Sequence, residues 1–311
     1  MKPYFSICIP VYNREKTILR TLKSIECQNF KYYEVLIIDD GSEDTTGKIV
    51  KQFIEERKLI DRYFYYYKFN GGKHTALNVG IAKAKGEFFI ILDSDDWLKE
   101  NCLDKLYHYC KQIENDSKFS GVMARVEDVS TGEMIGDKFD VKSPVSSYFD
   151  CHFILPQRMF LSDSFEANKT KILKKYRFPE DKDVHFVPEA WLFDQIGVEY
   201  NLLLTNDIFR VTEYLSDGMT KDPLFKQKNI KGFLLHYISR LENVLPRKNL
   251  PFVLRIKLYT LAWWRYWQCI KMAGANKYNL KKEISLFGYC IKYISPIIEL
   301  IFKIKYPKYH K

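Results

Sequence analysis

The chain has 311 residues, enough to bury a full core, and its 46% hydrophobic and 28% charged residues exclude a disordered polymer. Its formal charge is +10, yet residues 228–311 hold 17 of the 49 Lys and Arg and 3 of the 39 Asp and Glu, which leaves residues 1–227 at −4. That split argues against a whole-chain nucleic-acid binder and predicts a basic C-terminal patch facing something acidic.

The first predicted strand, Tyr4 to Ile9, follows the amino terminus without the charged segment and longer apolar core of a signal peptide, so export by that route is not expected. A helix over Arg14 to Glu26 follows, with Ile18, Leu22 and Ile25 at helical spacing, and then a strand from Glu34 to Ile38. Thr45 to Arg57 repeats the helical pattern with Ile49, Phe53 and Ile54, Tyr63 to Lys68 is the next strand, Thr75 to Ala84 the next helix, and Glu87 to Leu92 the fourth strand. This alternation predicts an α/β domain with a mainly parallel central sheet.

Beyond residue 135 the pattern loosens, and helices return from about residue 226. Trp263, Trp264, Tyr266 and Trp267 stand among basic residues between Arg255 and Lys271, a combination that lipid interfaces favour but that reads as core in part, with membrane contact expected of the more distal Ile284 to Lys305. The stretch from Ile284 to Lys305 is apolar but interrupted by Gly288, Lys292, Pro296 and Glu299, and reads as interfacial rather than spanning. The seven cysteines, odd in number and without a Cys-x-x-Cys pair, indicate neither a zinc site nor a disulfide framework and predict a reducing, cytoplasmic setting.

Ligands of open parallel sheets sit beyond the carboxyl ends of the strands, and those ends are polar here. They read Pro10-Val-Tyr-Asn13, Asp39-Asp-Gly-Ser42, Asn70-Gly-Gly-Lys-His74 and Asp93-Ser-Asp-Asp96. Three carboxylates in the last of these call for a compensating cation, and oxygen-only ligands select a hard ion such as Mg²⁺ or Mn²⁺. A helix cap at Asp96 would account for one of the three. Asp39-Asp-Gly-Ser42 is by itself an ordinary turn, although an Asp there can accept from a base N–H or a ribose hydroxyl. Asn70-Gly-Gly-Lys-His74 suits a phosphate at a helix start, or equally a glycine turn with a solvated Lys; it is neither a P-loop nor a dinucleotide fingerprint.

Ser6-Ile-Cys-Ile-Pro-Val-Tyr-Asn13, Val35-Leu-Ile-Ile-Asp-Asp-Gly-Ser42, Asn70-Gly-Gly-Lys73 with Ala76-Leu-Asn-Val-Gly-Ile81, and Gly86-Glu-Phe-Phe-Ile-Ile-Leu-Asp-Ser-Asp-Asp96 together resemble the ordered motifs of family-2 glycosyltransferases. The resemblance covers about the first hundred residues firmly and Phe178 to Gly218 more loosely. It implies a GT-A fold, a nucleoside-diphosphate sugar donor such as a UDP-sugar, and inversion at the anomeric carbon. It further implies Pro10, Tyr12, Asn13 and Glu15 around the nucleotide, Asp40 beside the base, Lys73 and Asn78 lining the donor site, Asp93 near the ribose or the metal, and Asp95 as principal ligand of Mn²⁺ or Mg²⁺.

An inverting transfer also needs a base, commonly supplied by a Glu-Asp pair at a helix start. Phe186-Val-Pro-Glu-Ala-Trp191 resembles that place with Ala190 at the usual Asp, so Glu189 is the candidate, Asp183 and Asp194 follow, and an ordinary first-turn glutamate is the competing explanation. Tyr214-Leu-Ser-Asp-Gly-Met219 resembles a segment in which Asp217 or Gly218 borders the acceptor pocket. The expected organisation is a GT-A domain over 1–225, with a donor-binding half to about residue 130 and an acceptor half after it, and a basic helical region over 226–311. The expected function is sugar transfer to a glycan or lipid-linked acceptor in cell-surface polysaccharide synthesis, in the cytoplasm or at the inner face of the membrane. Peripheral membrane contact through the basic tail and no nucleic-acid partner complete the reading. A nucleotide-sugar-binding scaffold and a sugar nucleotidyltransferase are its alternatives.

Overall fold

The computed structural model describes residues 2–140, 142–154, 163–214, 222–274 and 284–305. Strands β1 (Phe5–Val11), β2 (Tyr33–Asp39), β3 (Tyr63–Tyr67) and β4 (Phe88–Ile91) are parallel and lie in the order β3-β2-β1-β4. Helices α1 (Ile18–Glu26), α2 (Thr46–Glu56) and α3 (Lys73–Lys83) connect them. Every residue of β1 and β2 is buried, as strands covered on both faces require. Phe5, Ile7 and Ile9 pack with α1 and α2 on one face, while Cys8, Leu36 and Ile38 meet Ala76 and Leu77 of α3 on the other.

Two elements begin elsewhere than periodicity predicts. Helix α1 starts at Ile18 rather than Arg14, because the backbone N–H groups of Asn13, Arg14 and Glu15 are drawn to the side chains of Ser42, Thr46 and Asp44. Asn13 adopts a positive φ of 50° in this loop. Helix α3 starts at Lys73, immediately after the glycines.

After β4 come the short β5 (Trp97–Leu98), helix α4 (Cys102–Ile113), β6 (Phe119–Asp128), β7 (Glu133–Met134), β8 (Val145–Ser147), helix α5 (Tyr148–Phe153), β9 (Phe165–Lys169), helix α6 (Ala190–Glu199) and β10 (Asn201–Thr212). The sheet continues β4-β9-β6-β10-β5, with β9 antiparallel to both β4 and β6. This reversal sets the start of β9 beside the end of β4. The parallel pairing of β10 with β6 and the antiparallel pairing of Arg210 with Leu98 bring the end of β10 to the same edge.

Helices α7 (Ile230–Ser239), α8 (Phe252–Met272) and α9 (Leu286–Lys305) form a third cluster around Leu234, Trp264 and Tyr266, which also takes in Phe149 of α5. Trp263, Trp264, Tyr266 and Trp267 are all buried there, so the aromatic group of α8 is core. Among the described residues no helix is long and apolar enough to cross a membrane.

Candidate active site at the carboxyl ends of the strands

Asp93-Ser-Asp-Asp96 is fastened to α1 by hydroxyls: Thr17 Oγ1 donates to the Ser94 carbonyl at 2.9 Å, and Thr21 Oγ1 to the Asp96 carbonyl at 2.7 Å. Arg20 adds a bond from Nη2 to the Asp95 carbonyl at 2.8 Å. The three carboxylates therefore diverge from a fixed backbone, and each meets a different cation. Asp93 Oδ1 lies 2.6 Å from Lys73 Nζ, Asp95 Oδ2 lies 3.6 Å from Arg14 Nε, and Asp96 Oδ2 lies 3.1 Å from Arg210 Nη1.

Their protonation follows from these surroundings. Burial opposes ionisation of Asp93, yet Lys73, Arg210 and Arg14 hold its carboxyl below the usual range. Burial first, and then the neighbouring Asp93, raise Asp95. Burial pushes Asp96 up to about 7 in spite of Arg210. The capping expectation for Asp96 fails: β5 follows it, α4 begins only after Asn101, and its side chain is paired with Arg210.

Lys73 occupies the centre. Its Nζ is 2.6 Å from Asp93 and 2.6 Å from Glu189 Oε1, and the two carboxylates raise its pKa against the cost of burial. Glu189 stands at the start of α6 without a side-chain capping bond, and its carboxylate is turned to Lys73 instead. Gly72 makes the approach of the two halves feasible: at φ 92° a Cβ there would lie 1.8 Å from the His185 carbonyl oxygen.

The other expected residues divide. Pro10 is buried in β1 one residue before the strand closes at Val11, and Tyr12 and Asn13 follow on the rim, with Tyr12 exposed. The Glu15 carboxylate accepts from the Thr45 N–H and hydroxyl, which lower its pKa, so it stitches the first strand-end loop to the second. Asp40 accepts from the N–H groups of Gly71 and Gly72 at 3.0 and 2.7 Å and pairs with Lys68, so it anchors the glycine loop.

Asn78 is a brace, not an open donor contact. Its amide bonds both the N–H and the carbonyl of Phe178 and the Glu180 carboxylate, leaving little for a ligand. Asp194, the second alternative base, is closed off as well: it is 1% exposed and bonded to His236 at 3.0 Å and Arg240 at 2.7 Å. Asp183 is exposed and paired with Lys231. Asp217 and Gly218 lie outside the described residues.

Two groups escaped the sequence reading. Arg210, 9% exposed, pairs with Asp96, and the charges of Asp96, Asp93, Asp163 and Glu166 together raise its pKa against the cost of burial. Glu166 at the start of β9 is pushed up to about 7 by burial, with Glu189 and Asp163 adding to the rise and Arg210 opposing it. An arginine within the apolar run Ile208-Phe-Arg-Val211 was the available signal.

Among the described residues no three His, Cys, Asp or Glu side chains converge as a ready-made metal cage. Asp93 and Asp95 nonetheless carry hard carboxylate oxygens close enough for the charge of Asp93 to raise Asp95, a donor chemistry that suits a Mg²⁺- or Mn²⁺-sized ion taking its other ligands from diphosphate and water. The donor set fits such an ion, and Asp93 and Asp95 would hold it.

A family model described as glycosyl transferase family 2 matches residues 6–177. The chain is 28% identical over 180 residues to the GalNAc(5)-diNAcBac-PP-undecaprenol beta-1,3-glucosyltransferase of Campylobacter jejuni, covering 58% of this chain and 56% of that one. For several other relatives the share is smaller, so the chain spans little more than half the length, or less, of these proteins. Among solved structures, S. aureus TarS 1-349 in complex with UDP-GlcNAc superposes with a TM-score of 0.61 at 18% identity, covering 95% of this chain and 79% of that one. A mannosyltransferase from Pyrobaculum calidifontis in complex with GDP-Man and Mn²⁺ superposes with a TM-score of 0.56 at 16% identity, covering 99% and 88%.

Proposed function

The chain belongs to glycosyl transferase family 2 and has a GT-A fold, and from that premise we propose that it transfers a sugar from a nucleoside-diphosphate sugar to a hydroxyl of a glycan or lipid-linked acceptor, with inversion. The observation that carries this reading is the Lys73 ammonium held between Asp93 of the donor half and Glu189 of the second half. A single displacement needs a group for the departing diphosphate and a base for the incoming hydroxyl within one site, and these three residues meet both demands.

In this proposal Pro10, Tyr12 and Asn13 border the nucleotide, while Glu15 and Asp40 hold the loops that shape its pocket. Lys73 presents its charge to the diphosphate, and Glu189, released from Lys73 as phosphate oxygens take that cation, receives the acceptor proton. Asp93 and Asp95 would hold a divalent ion, which would supply positive charge to the leaving diphosphate. Arg210 keeps the remaining negative charge of Asp96 and Glu166 compensated, so the acceptor approaches a site that is not uniformly anionic. A role in cell-surface polysaccharide synthesis on the cytoplasmic side of the membrane follows from the same reading, supported by the lipid-linked substrate in the Campylobacter relative's name.

The test is calorimetric titration with UDP-, GDP- and dTDP-sugars, UDP-sugars first, each with Mn²⁺ and with chelator. Metal-dependent binding of one donor, followed by its consumption with acceptor, is the expected result. Binding without any transfer to glycan or lipid-linked acceptors would leave a nucleotide-sugar-binding scaffold instead.

A further inference from the structure

Helix α9 packs one side on α8. Gly288 and Ile291 are buried, and the Trp267 indole N–H donates to the Gly288 carbonyl at 2.8 Å. A Cβ at Gly288 would lie 2.8 Å from the Trp263 ring, so glycine is what permits this close contact. The opposite side is different in kind. Leu286, Tyr293, Ile297 and Leu300 fall at helical spacing on one stripe and are 82%, 78%, 60% and 59% exposed, with Tyr289 and Ile294 exposed along its edges.

Between Leu286 and Leu300 the charged residues are Lys292 and Glu299, and both lie off the stripe: Lys292 is exposed on the flank with its ammonium over the Trp267 ring, and Glu299 is half-buried. The outward half of the helix over this span therefore carries apolar side chains, Cys290 and Pro296, but no charge. A stripe of this length exceeds the scattered apolar residues of an ordinary soluble surface. Lys277, Lys281 and Lys282 precede it in sequence, and Lys303, Lys305, Lys308 and Lys311 follow, within a segment of 17 basic and 3 acidic residues.

We propose that α9 lays the Leu286, Tyr293, Ile297 and Leu300 stripe into the headgroup and upper acyl region of an anionic phospholipid bilayer. An apolar stripe whose flanking sequence holds seven lysines against the single Glu283 is complementary to such a surface. A second copy of the chain would instead bring two strongly basic segments together. Pro296 also favours a surface location over a deeper one. It removes the N–H that would bond the Lys292 carbonyl, which headgroups and water can satisfy and hydrocarbon cannot. The purpose of this docking, delivery of the site to a lipid-linked acceptor, rests on the glycosyl-transfer reading; the docking itself does not.

The test is co-sedimentation of the full chain with vesicles of phosphatidylcholine alone and with phosphatidylglycerol mixed in, together with a Leu286→Ser, Tyr293→Ser, Ile297→Ser triple variant. The expected result is sedimentation with the anionic vesicles that weakens in high salt, and a loss of about tenfold or more in the variant at an unchanged melting temperature. A wild-type chain that stays in the supernatant with both vesicles, or a variant that binds as well as wild type, overturns the proposal. So does a wild-type dimer that the variant converts to monomer without any vesicle binding, because the stripe is then a contact between copies. Turnover of a soluble acceptor is measured separately in solution; its absence with vesicle binding intact counts against the transfer reading alone.

Discussion

Lys73 and Glu189, from opposite halves of the domain, meet at 2.6 Å, and the same ammonium stands 2.6 Å from Asp93. The contact fixes the position of the carboxylate beside the ammonium. In the proposed mechanism the contact would also set an order, since phosphate drawing Lys73 away would free Glu189.

Glu189→Gln keeps the shape of the side chain and removes its basicity. Donor affinity by calorimetry is expected to stay near wild type, while kcat for transfer falls by about 10²- to 10⁴-fold. Transfer at the wild-type rate would assign the base to another acid, with half-buried Glu166 the first to examine.

Asp95→Asn removes a carboxylate that burial and Asp93 already make reluctant to ionise. Metal-dependent turnover is expected to be lost while the melting temperature holds or rises slightly, because a repulsion disappears with the charge. A Mn²⁺ titration of activity decides it; normal turnover would remove Asp95 from the metal site.

Arg210→Met leaves Asp96 buried without its cation. The expected destabilisation is about 3–5 kcal/mol by urea unfolding, and adding Asp96→Asn should recover much of it. A single-variant loss below about 1 kcal/mol would mean that the pair behaves as an exposed one.

Asp194→Asn tests a different buried carboxylate, the one joining α6 to His236 and Arg240 of the C-terminal helices. A loss of stability on the order of 3 kcal/mol is expected, with kcat of the folded fraction changed far less than in Glu189→Gln. The reverse pattern would return Asp194 to the list of bases.

Stability should also depend on pH through His74. Burial lowers its imidazole to about 4, and neither ring nitrogen has a hydrogen-bond partner among the described residues. An unfolded His takes its proton near pH 6.5, so between those values the unfolded chain binds more protons and stability rises with pH. The contribution is complete above about pH 6.5 and is lost as the pH falls toward 4, on the order of 3 kcal/mol in all. His74→Gln should flatten that part of the urea-unfolding profile; an unchanged slope would place the titration in another group.

The donor half was legible in the sequence because its signals are local. Apolar strands with helical stretches between them are written in the order of residues, and polar groups just past each strand end mark the crevice. Strand and helix limits moved by a few residues where side chains such as Ser42, Asp44 and Thr46 took the backbone N–H groups of the neighbouring loop. The bracing bonds of Asn78 were not legible for the same reason, since its partners Phe178 and Glu180 arrive from a distant segment.

Sequence by itself determined the alternating α/β pattern, the oxygen-ligand cluster at Asp93 to Asp96, Lys73 after its glycines, and the basic character of the tail. Tertiary structure alone decided which cation meets which carboxylate, and that α8 turns its aromatics inward while α9 turns an apolar stripe out. The physical reason is that ion pairing and burial depend on distances set by sheet order. The antiparallel β9 and the return of β10 bring Glu166 and Arg210 to the site, and no local periodicity encodes that placement.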